Sequence, residues 1–171
     1  MTMTQTPPSY SYARMPSPVG TLTLVANSDG LAAVLWAHER PGRVAITLDV
    51  EDPAHPVLAA AAQQLNEYFD GRRTTFSLPL APVGTPFQRQ VWEALLTIPF
   101  GNTRSYAQIA QQIGRPTAMR AVGAANGRNP LSIVAPCHRV VGSNGALTGF
   151  AGGLDVKARL LALEQPTRRA R

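Results

Sequence analysis

The chain contains one cysteine in 171 residues, so no internal disulfide can hold it together and its fold must rest on burial. That cysteine lies in Pro136-Cys137-His138-Arg139-Val140-Val141, and the apolar runs Leu131-Ser132-Ile133-Val134 and Val140-Val141 enclose it. A thiol acts as a nucleophile in its thiolate form, which needs a base or a positive charge nearby. Here a histidine and an arginine follow the sulfur directly. The bland reading is that Cys137 is a small buried hydrophobe, as most free cysteines are. Six residues leave both readings open.

The length fits one compact domain or two small lobes, and 44% apolar residues suffice for a core. No segment approaches the roughly 18 continuous apolar residues of a membrane helix. Met1 to Ser11 lacks the basic and apolar regions of a secretory signal, so the expectation is a soluble, cytoplasmic protein. Charge divides the chain more sharply. Residues 1–85 carry five Arg against seven Asp or Glu, a balance of −2. Residues 86–171 carry ten Arg and Lys157 against three acids, a balance of +8. A basic half beside a mildly acidic one points to a polyanion, foremost nucleic acid, as partner of the second half only; a merely solvated basic face is the alternative.

Local patterns place the elements. Ser9 to Met15, Thr21 to Ala26, Leu31 to Trp36 and Arg43 to Val50 read as strands, with turns at Ser17-Pro18-Val19-Gly20 and Ser28-Asp29-Gly30. Pro56 to Phe69 repeats apolar residues at helical spacing and stops at Gly71, and Thr74 to Leu78 reads as a returning strand. This expected first domain, residues 1–80, contains no clustered chemistry and reads as a support. Leu80 to Gly84 resembles a linker (residues 81–85 in the domain division), and residues 86–171 form the second domain.

Thr85-Pro86-Phe87-Gln88 and Ser105-Tyr106-Ala107-Gln108 are capping boxes that open helices. Gly114-Arg115-Pro116 makes a turn, and Thr117 is expected to cap a further short helix through about Asn126. Two short helices joined by a Gly-containing turn are a helix-turn-helix pattern. The small residues Ala118, Ala121, Gly123, Ala124 and Ala125 suit close approach to a ligand surface and tight packing in a core equally well. A buried strand is expected over Leu131 to Val134, then a turn at Gly142 to Gly145, a flexible loop at Ala151-Gly152-Gly153 and a last helix over Asp155 to Glu164. Met1 to Pro8 is expected to fray, and the basic tail 165–171 to be disordered.

Neighbours on a strand point to opposite faces, so His138 needs a turn or a bridging water to serve Cys137. The other histidines, His38 and His55, belong to the first half. Of the acids in the second half, Glu93, Asp155 and Glu164, the last is the one a compact lobe most easily brings to His138.

The motifs SYAQIA (105–110), RAVGAANGRNP (120–130), PCHRVV (136–141) and TGFAGG (148–153), with a helix ending in LALE (161–164), stand in order over roughly Thr85 to Glu164. In this the chain resembles the methylated-DNA–protein-cysteine methyltransferases, the O6-alkylguanine-DNA alkyltransferases. The resemblance implies an α/β (α+β) fold, with a small RNase H-like sheet lobe before a mainly helical lobe that carries the helix-turn-helix. It implies a monomer without cofactor or metal that acts once on double-stranded DNA containing alkylated guanine. Cys137 would take the alkyl group; His138, through a water, and Glu164 would withdraw its proton. Asn129 would be a structural hinge at the active-site turn, and Tyr106 would donate to the departing guanine. Arg120 would enter the duplex in place of the flipped base, with Thr117, Ala118, Tyr106, Arg128 and Ser143 completing the DNA contacts. Val140, Phe150, Ala151 and Gly152 would line the alkylguanine pocket, where backbone groups at Cys137, Val140 and Ala151 read the base edge.

Two departures stand out. Family members often have Tyr where this chain has Phe150, and some bind zinc through first-lobe cysteines that this chain lacks. Three other functions compete: a non-catalytic lesion-binding relative, against which Cys137 itself argues, a sequence-specific helix-turn-helix regulator, and a cysteine hydrolase that turns over.

Overall fold

A computed structural model of the chain describes residues 9–165. Three strands, β1 (Ser11–Met15), β2 (Leu22–Ala26) and β3 (Leu31–Leu35), form an antiparallel meander, because alternating residues such as Ala13, Met15, Leu22 and Leu24 bury one side of it. The short β4 (Val50–Glu51) adds parallel to β1, giving the order β3-β2-β1-β4. Helix α1 (Pro56–Phe69) packs on this sheet through Leu58, Ala61, Leu65 and Tyr68. Its cap is unusual: Nδ1 of His55 accepts from the Val57 amide at 3.2 Å, while Pro56 supplies the first turn.

Three expected strands in and around this half are not formed as such. Residues 43–49 do not pair, because the Arg43 side chain is drawn away to distant carbonyls and pairing begins only at Val50. The segment 74–78 is irregular, since Gln64 of α1 occupies both backbone groups of Ser77 (2.9 and 3.1 Å) and so replaces a strand ladder. The segment 131–134 folds into tight turns instead of a strand. Its only strand-like contact is a parallel bridge from Leu131 to Val34, whose amide bonds the Pro130 carbonyl at 2.8 Å. Within it Ile133 has φ 72°, a left-handed conformation rare for a β-branched residue and a sign of backbone held by its surroundings.

The second half is helical: α2 (Pro86–Leu95), β5 (Arg104–Ser105), α3 (Tyr106–Gln112), α4 (Met119–Gly127), one 3₁₀ turn over Cys137–Arg139, β6 (Val140–Val141) and α5 (Leu154–Leu163). Both capping boxes form with reciprocal bonds, Thr85 with Gln88 and Ser105 with Gln108. Thr117, in contrast, does not cap α4. Ala118 holds that position without a side-chain bond, and Thr117 is exposed in the turn before it. The expectations for Met1 to Pro8 and for residues 166–171 lie outside the described residues.

The two halves share a core. Leu131, Ile133, Val134, Ala135 and Leu160 pack with Leu24, Val34 and Leu65 of the sheet lobe, so the segment leading to the cysteine is wedged between the halves. A second cluster joins Val91, Trp92, Leu95 and Ile109 to Cys137 and Val140. Of the small residues on α4, Ala125 is buried and its carbonyl accepts from Trp92 Nε1 at 2.8 Å, while Ala121 and Ala124 are exposed. The helix therefore packs closely with one face and leaves a low-relief face to solvent. Replacing the Ser105 cap with Ala should cost about 1 kcal/mol of stability in urea unfolding, through loss of one capped amide at the start of α3.

Candidate active site

The turn around Cys137 is built from its own backbone. The Cys137 amide bonds the Ala135 carbonyl at 2.7 Å and the Arg139 amide bonds Pro136 at 2.9 Å, which winds the segment into a 3₁₀ turn. Asn129 fastens it, donating from Nδ2 to Ala135 at 2.8 Å and accepting from the Leu131 amide at 3.0 Å. Asn129 is wholly buried. Because the segment is a turn, His138 and Cys137 are not forced onto opposite faces as they would be on a strand.

His138 and Glu164 meet. His138 Nε2 lies 2.7 Å from Glu164 Oε2, and both side chains are buried. The same carboxylate takes a two-pronged bond from Arg139 (Nε to Oε1, 2.7 Å; Nη2 to Oε2, 3.1 Å) and the hydroxyl proton of Tyr68 at 2.6 Å. Burial alone would raise the Glu164 carboxyl, but hydrogen bonds from His138 and Arg139 outweigh it and bring the pKa to about 2. Burial lowers the His138 imidazole against the pull of Glu164, so the ring is neutral near pH 7 and able to accept a proton. Its Nδ1 is buried and has no hydrogen-bond partner among the described residues. Burial pushes the Cys137 thiol up, opposed by a hydrogen bond from Asn129 and by the charges of Arg43 and Lys157.

A cleft of about 640 Å³ lies between α4 and the 148–151 loop, bounded by Tyr106, Arg128, Thr148, Phe150 and Ala151, with Arg40 and Arg43 of the sheet lobe also on its wall. Tyr106 accepts from Thr148 Oγ1 at 3.0 Å, which leaves its own hydroxyl proton to be donated elsewhere. Phe150 packs against the cluster that holds Cys137 and meets Trp36 edge-on at 5.5 Å between centroids. Gly152 is close to the same indole, where an added Cβ would meet ring atoms at 2.8 Å. Val140 is buried. Arg120, Thr117, Arg128 and Ser143 are exposed and Ala118 is partly so; Arg120, Thr117 and Ser143 lie outside the lining of the cleft.

Three residues of this site, Tyr68, Arg43 and Lys157, carry no separate signal in the sequence motifs' chemistry, whereas Arg139 stands in the motif beside the sulfur. Tyr68 and Arg43 come from the half read as mere support. Arg43 donates to the carbonyls of Asn129 (2.9 Å) and Gly127 (3.2 Å) while paired with Glu39. Arg139 also donates to the Ile98 carbonyl at 2.6 Å, and Lys157 is fully buried. The one available hint is compositional, since Lys157 is the only lysine beside 15 arginines.

Known proteins share this two-part architecture. Residues 86–166 match the profile of the 6-O-methylguanine DNA methyltransferase DNA-binding domain, and residues 10–82 match the ribonuclease-like domain of the same proteins. The chain belongs to the 6-O-methylguanine DNA methyltransferase family. It is 49% identical to the methylated-DNA–protein-cysteine methyltransferase of Mycolicibacterium paratuberculosis over 90% of this chain and 92% of that one. The constitutive enzyme of that name in Bacillus subtilis is 48% identical over 90% and 94%. Among solved structures, Mycobacterium tuberculosis OGT in complex with DNA superposes with TM-score 0.81 at 46% identity, covering 93% of this chain and 94% of that one. These likenesses establish the α/β fold with its ribonuclease-like sheet lobe and helical DNA-binding lobe.

A depressed carboxyl stabilises the fold above its ordinary pKa, and that contribution is lost as pH falls through the folded value. Glu164 should therefore add stability that is complete above about pH 4.5 and disappears toward pH 2. Glu164→Gln strands the buried Arg139 charge and should cost about 3 kcal/mol or more at pH 7. Urea melts of both proteins should converge as the pH is lowered from 4.5 toward 2; a gap that stays constant would contradict the assignment.

Proposed function

We propose that this chain repairs alkylated DNA by moving the alkyl group from guanine O6 to Cys137, once per molecule. The observation that carries the reading is the buried His138–Glu164 pair at 2.7 Å beside the only cysteine, with the free Nδ1 of a neutral imidazole left to accept a proton. His138 takes the thiol proton through a water, and Glu164 stabilises the imidazolium that results. The thiolate then forms the S–C bond as the C–O6 bond breaks. The bonding pair leaves with guanine, which receives a proton from Tyr106. The imidazolium returns its proton to the tyrosinate by way of solvent, so the balance is one alkyl group exchanged for one thiol proton. A thioether is not hydrolysed, so the protein is consumed.

An alkyl group on O6 lies within the base stack, so the nucleotide must be turned out, at a cost of a few kcal/mol that the damaged pair reduces. The pair α3–α4 acts as a helix-turn-helix whose exposed small residues, Ala121 and Ala124, let the helix sit in the minor groove. Exposed Arg120 enters the space left by the base. Thr117, Ala118, Arg128 and Ser143 contact the backbone, and the basic second half supplies the salt-dependent part of affinity. The flipped base occupies the cleft beside Tyr106, walled by Phe150 and Ala151, while Val140 and Gly152 lie outside that lining. Phe150 contributes a ring there without a hydroxyl. The protein works as a cytoplasmic monomer, where a reducing environment keeps its thiol free. Residues 1–80 form the bracing domain and 86–171 the catalytic one, joined through 81–85.

With O6-methylguanine duplex in excess, repaired lesions should plateau at one per protein molecule. Cys137→Ala should bind the duplex and repair none; continued turnover in the parent would favour a hydrolase. Arg120→Ala should lose most repair of duplex lesions while reacting with free O6-benzylguanine at close to the parental rate. Equal losses on both substrates would remove the flipping role.

A further inference from the structure

Trp36 follows directly on β3, and its indole is buried in the core that the two lobes share. Two polar bonds fix it there. Indole Nε1 donates to Ser132 Oγ at 3.1 Å, in the segment that leads to Cys137, and the Trp36 amide donates to Glu39 Oε1 at 3.1 Å. A buried indole needs an acceptor for its N–H, and with that acceptor fully buried as well the ring is held in one orientation.

The face it presents is met by the loop 148–153, which lies outside every helix and strand. Phe150 stands edge-on to the indole, 5.5 Å between centroids at 70°. The backbone at Gly152 comes closer still: a Cβ there would meet Cε2 of the indole at 2.8 Å and Cδ2 and Cζ2 at 3.0 Å, all atoms of the fused ring. Phe150 and Ala151 line the cleft beside Tyr106, whereas Trp36 does not, so it reaches the cleft through them. The loop has little stiffness of its own, since Gly149, Gly152 and Gly153 make up half of it. Its first residue is tied down, the Thr148 carbonyl by Lys157 Nζ at 2.9 Å and the Thr148 hydroxyl by Tyr106 at 3.0 Å. Between that tie and the start of α5 the wall leans on the indole. Leucine or phenylalanine would fill the core at this position equally well, but neither offers an N–H to Ser132 or a fused ring beneath Gly152.

We propose that Trp36 is a positioning residue that sets the alkyl-size selectivity of the site: its indole fixes how far the Phe150–Gly152 wall stands into the cleft. This rests on the reading of the cleft as the place of the flipped alkylguanine. Close-packed interiors make such a backing effective, because a ring removed from behind a wall leaves a space into which the wall relaxes.

The test compares single-turnover transfer of methyl and of benzyl groups from guanine O6 in the same duplex. The benzyl-to-methyl rate ratio cancels losses of DNA binding and of folded protein, which a merely structural residue would cause. Trp36→Phe removes the fused ring and the donor to Ser132, so the wall falls back and the ratio should rise about tenfold. Gly152→Ala drives the wall off the indole into the cleft, and the ratio should fall. A ratio that stays or falls in Trp36→Phe would make Trp36 core filling and overturn the proposal. Urea unfolding of both variants and of the double variant gives a second readout that needs no transfer. The methyl added in Gly152→Ala fits the space vacated in Trp36→Phe, so the double variant should lose less stability than the sum of the two single losses. Additive losses would show that the wall does not rest on the indole, and would overturn the proposal as well. A parent that transfers neither group would sink the functional reading itself; a parent that transfers both, with a ratio unmoved in Trp36→Phe, would sink the role of Trp36 alone.

Discussion

The buried carboxylate of Glu164 receives Arg139, His138 and Tyr68 at once, from the 3₁₀ turn and from the helix of the sheet lobe. These segments are far apart in sequence, and one anion fixes their relative positions. Removing the anion would leave Arg139 charged and unpaired inside the protein, which is far costlier than the net benefit of the intact pair. The same bonds that hold the fold also fix the orientation of the imidazole that follows Cys137 in the chain. Structural and chemical demands therefore converge on one residue at the end of α5.

The sheet lobe takes a larger part in the site than a scaffold would. Tyr68 supplies one of the bonds on Glu164, Arg43 grips the Asn129 and Gly127 carbonyls, and Trp36 braces both Phe150 and Ser132 (Nε1 to Oγ, 3.1 Å). Strain is kept close by, at Ile133, where tight turns hold a β-branched residue in the left-handed region two residues from Ala135. Asn129 thus receives support from both halves.

Much of this was legible in the residues. The capping boxes at Thr85 and Ser105 identify their own partners within four positions, and both form. Helical spacing in Pro56 to Phe69 likewise defines α1. Failures fall where a distant side chain competes with a local ladder. Gln64 claims the backbone of Ser77, and the segment 131–134 is shaped by docking against β3 and by Asn129. No local pattern encodes such contacts. Cys137 and Glu164 were found through ordered motifs, whereas Tyr68, Arg43 and Lys157 act through contacts that only the fold creates. Thr117 shows the opposite error, since a good capping residue stands one position too early to cap α4.

Burial in an apolar cluster pushes the Cys137 thiol up, and the Asn129 hydrogen bond and the charges of Arg43 and Lys157 oppose it. Among the described residues Glu164 is the acidic side chain paired with His138. The most direct measurement is the mass of the protein after incubation with duplex DNA carrying O6-methylguanine, followed by peptide mapping. The account predicts a gain of one methyl group, located on Cys137 and absent with unmodified duplex; an unchanged protein mass beside restored guanine would contradict it.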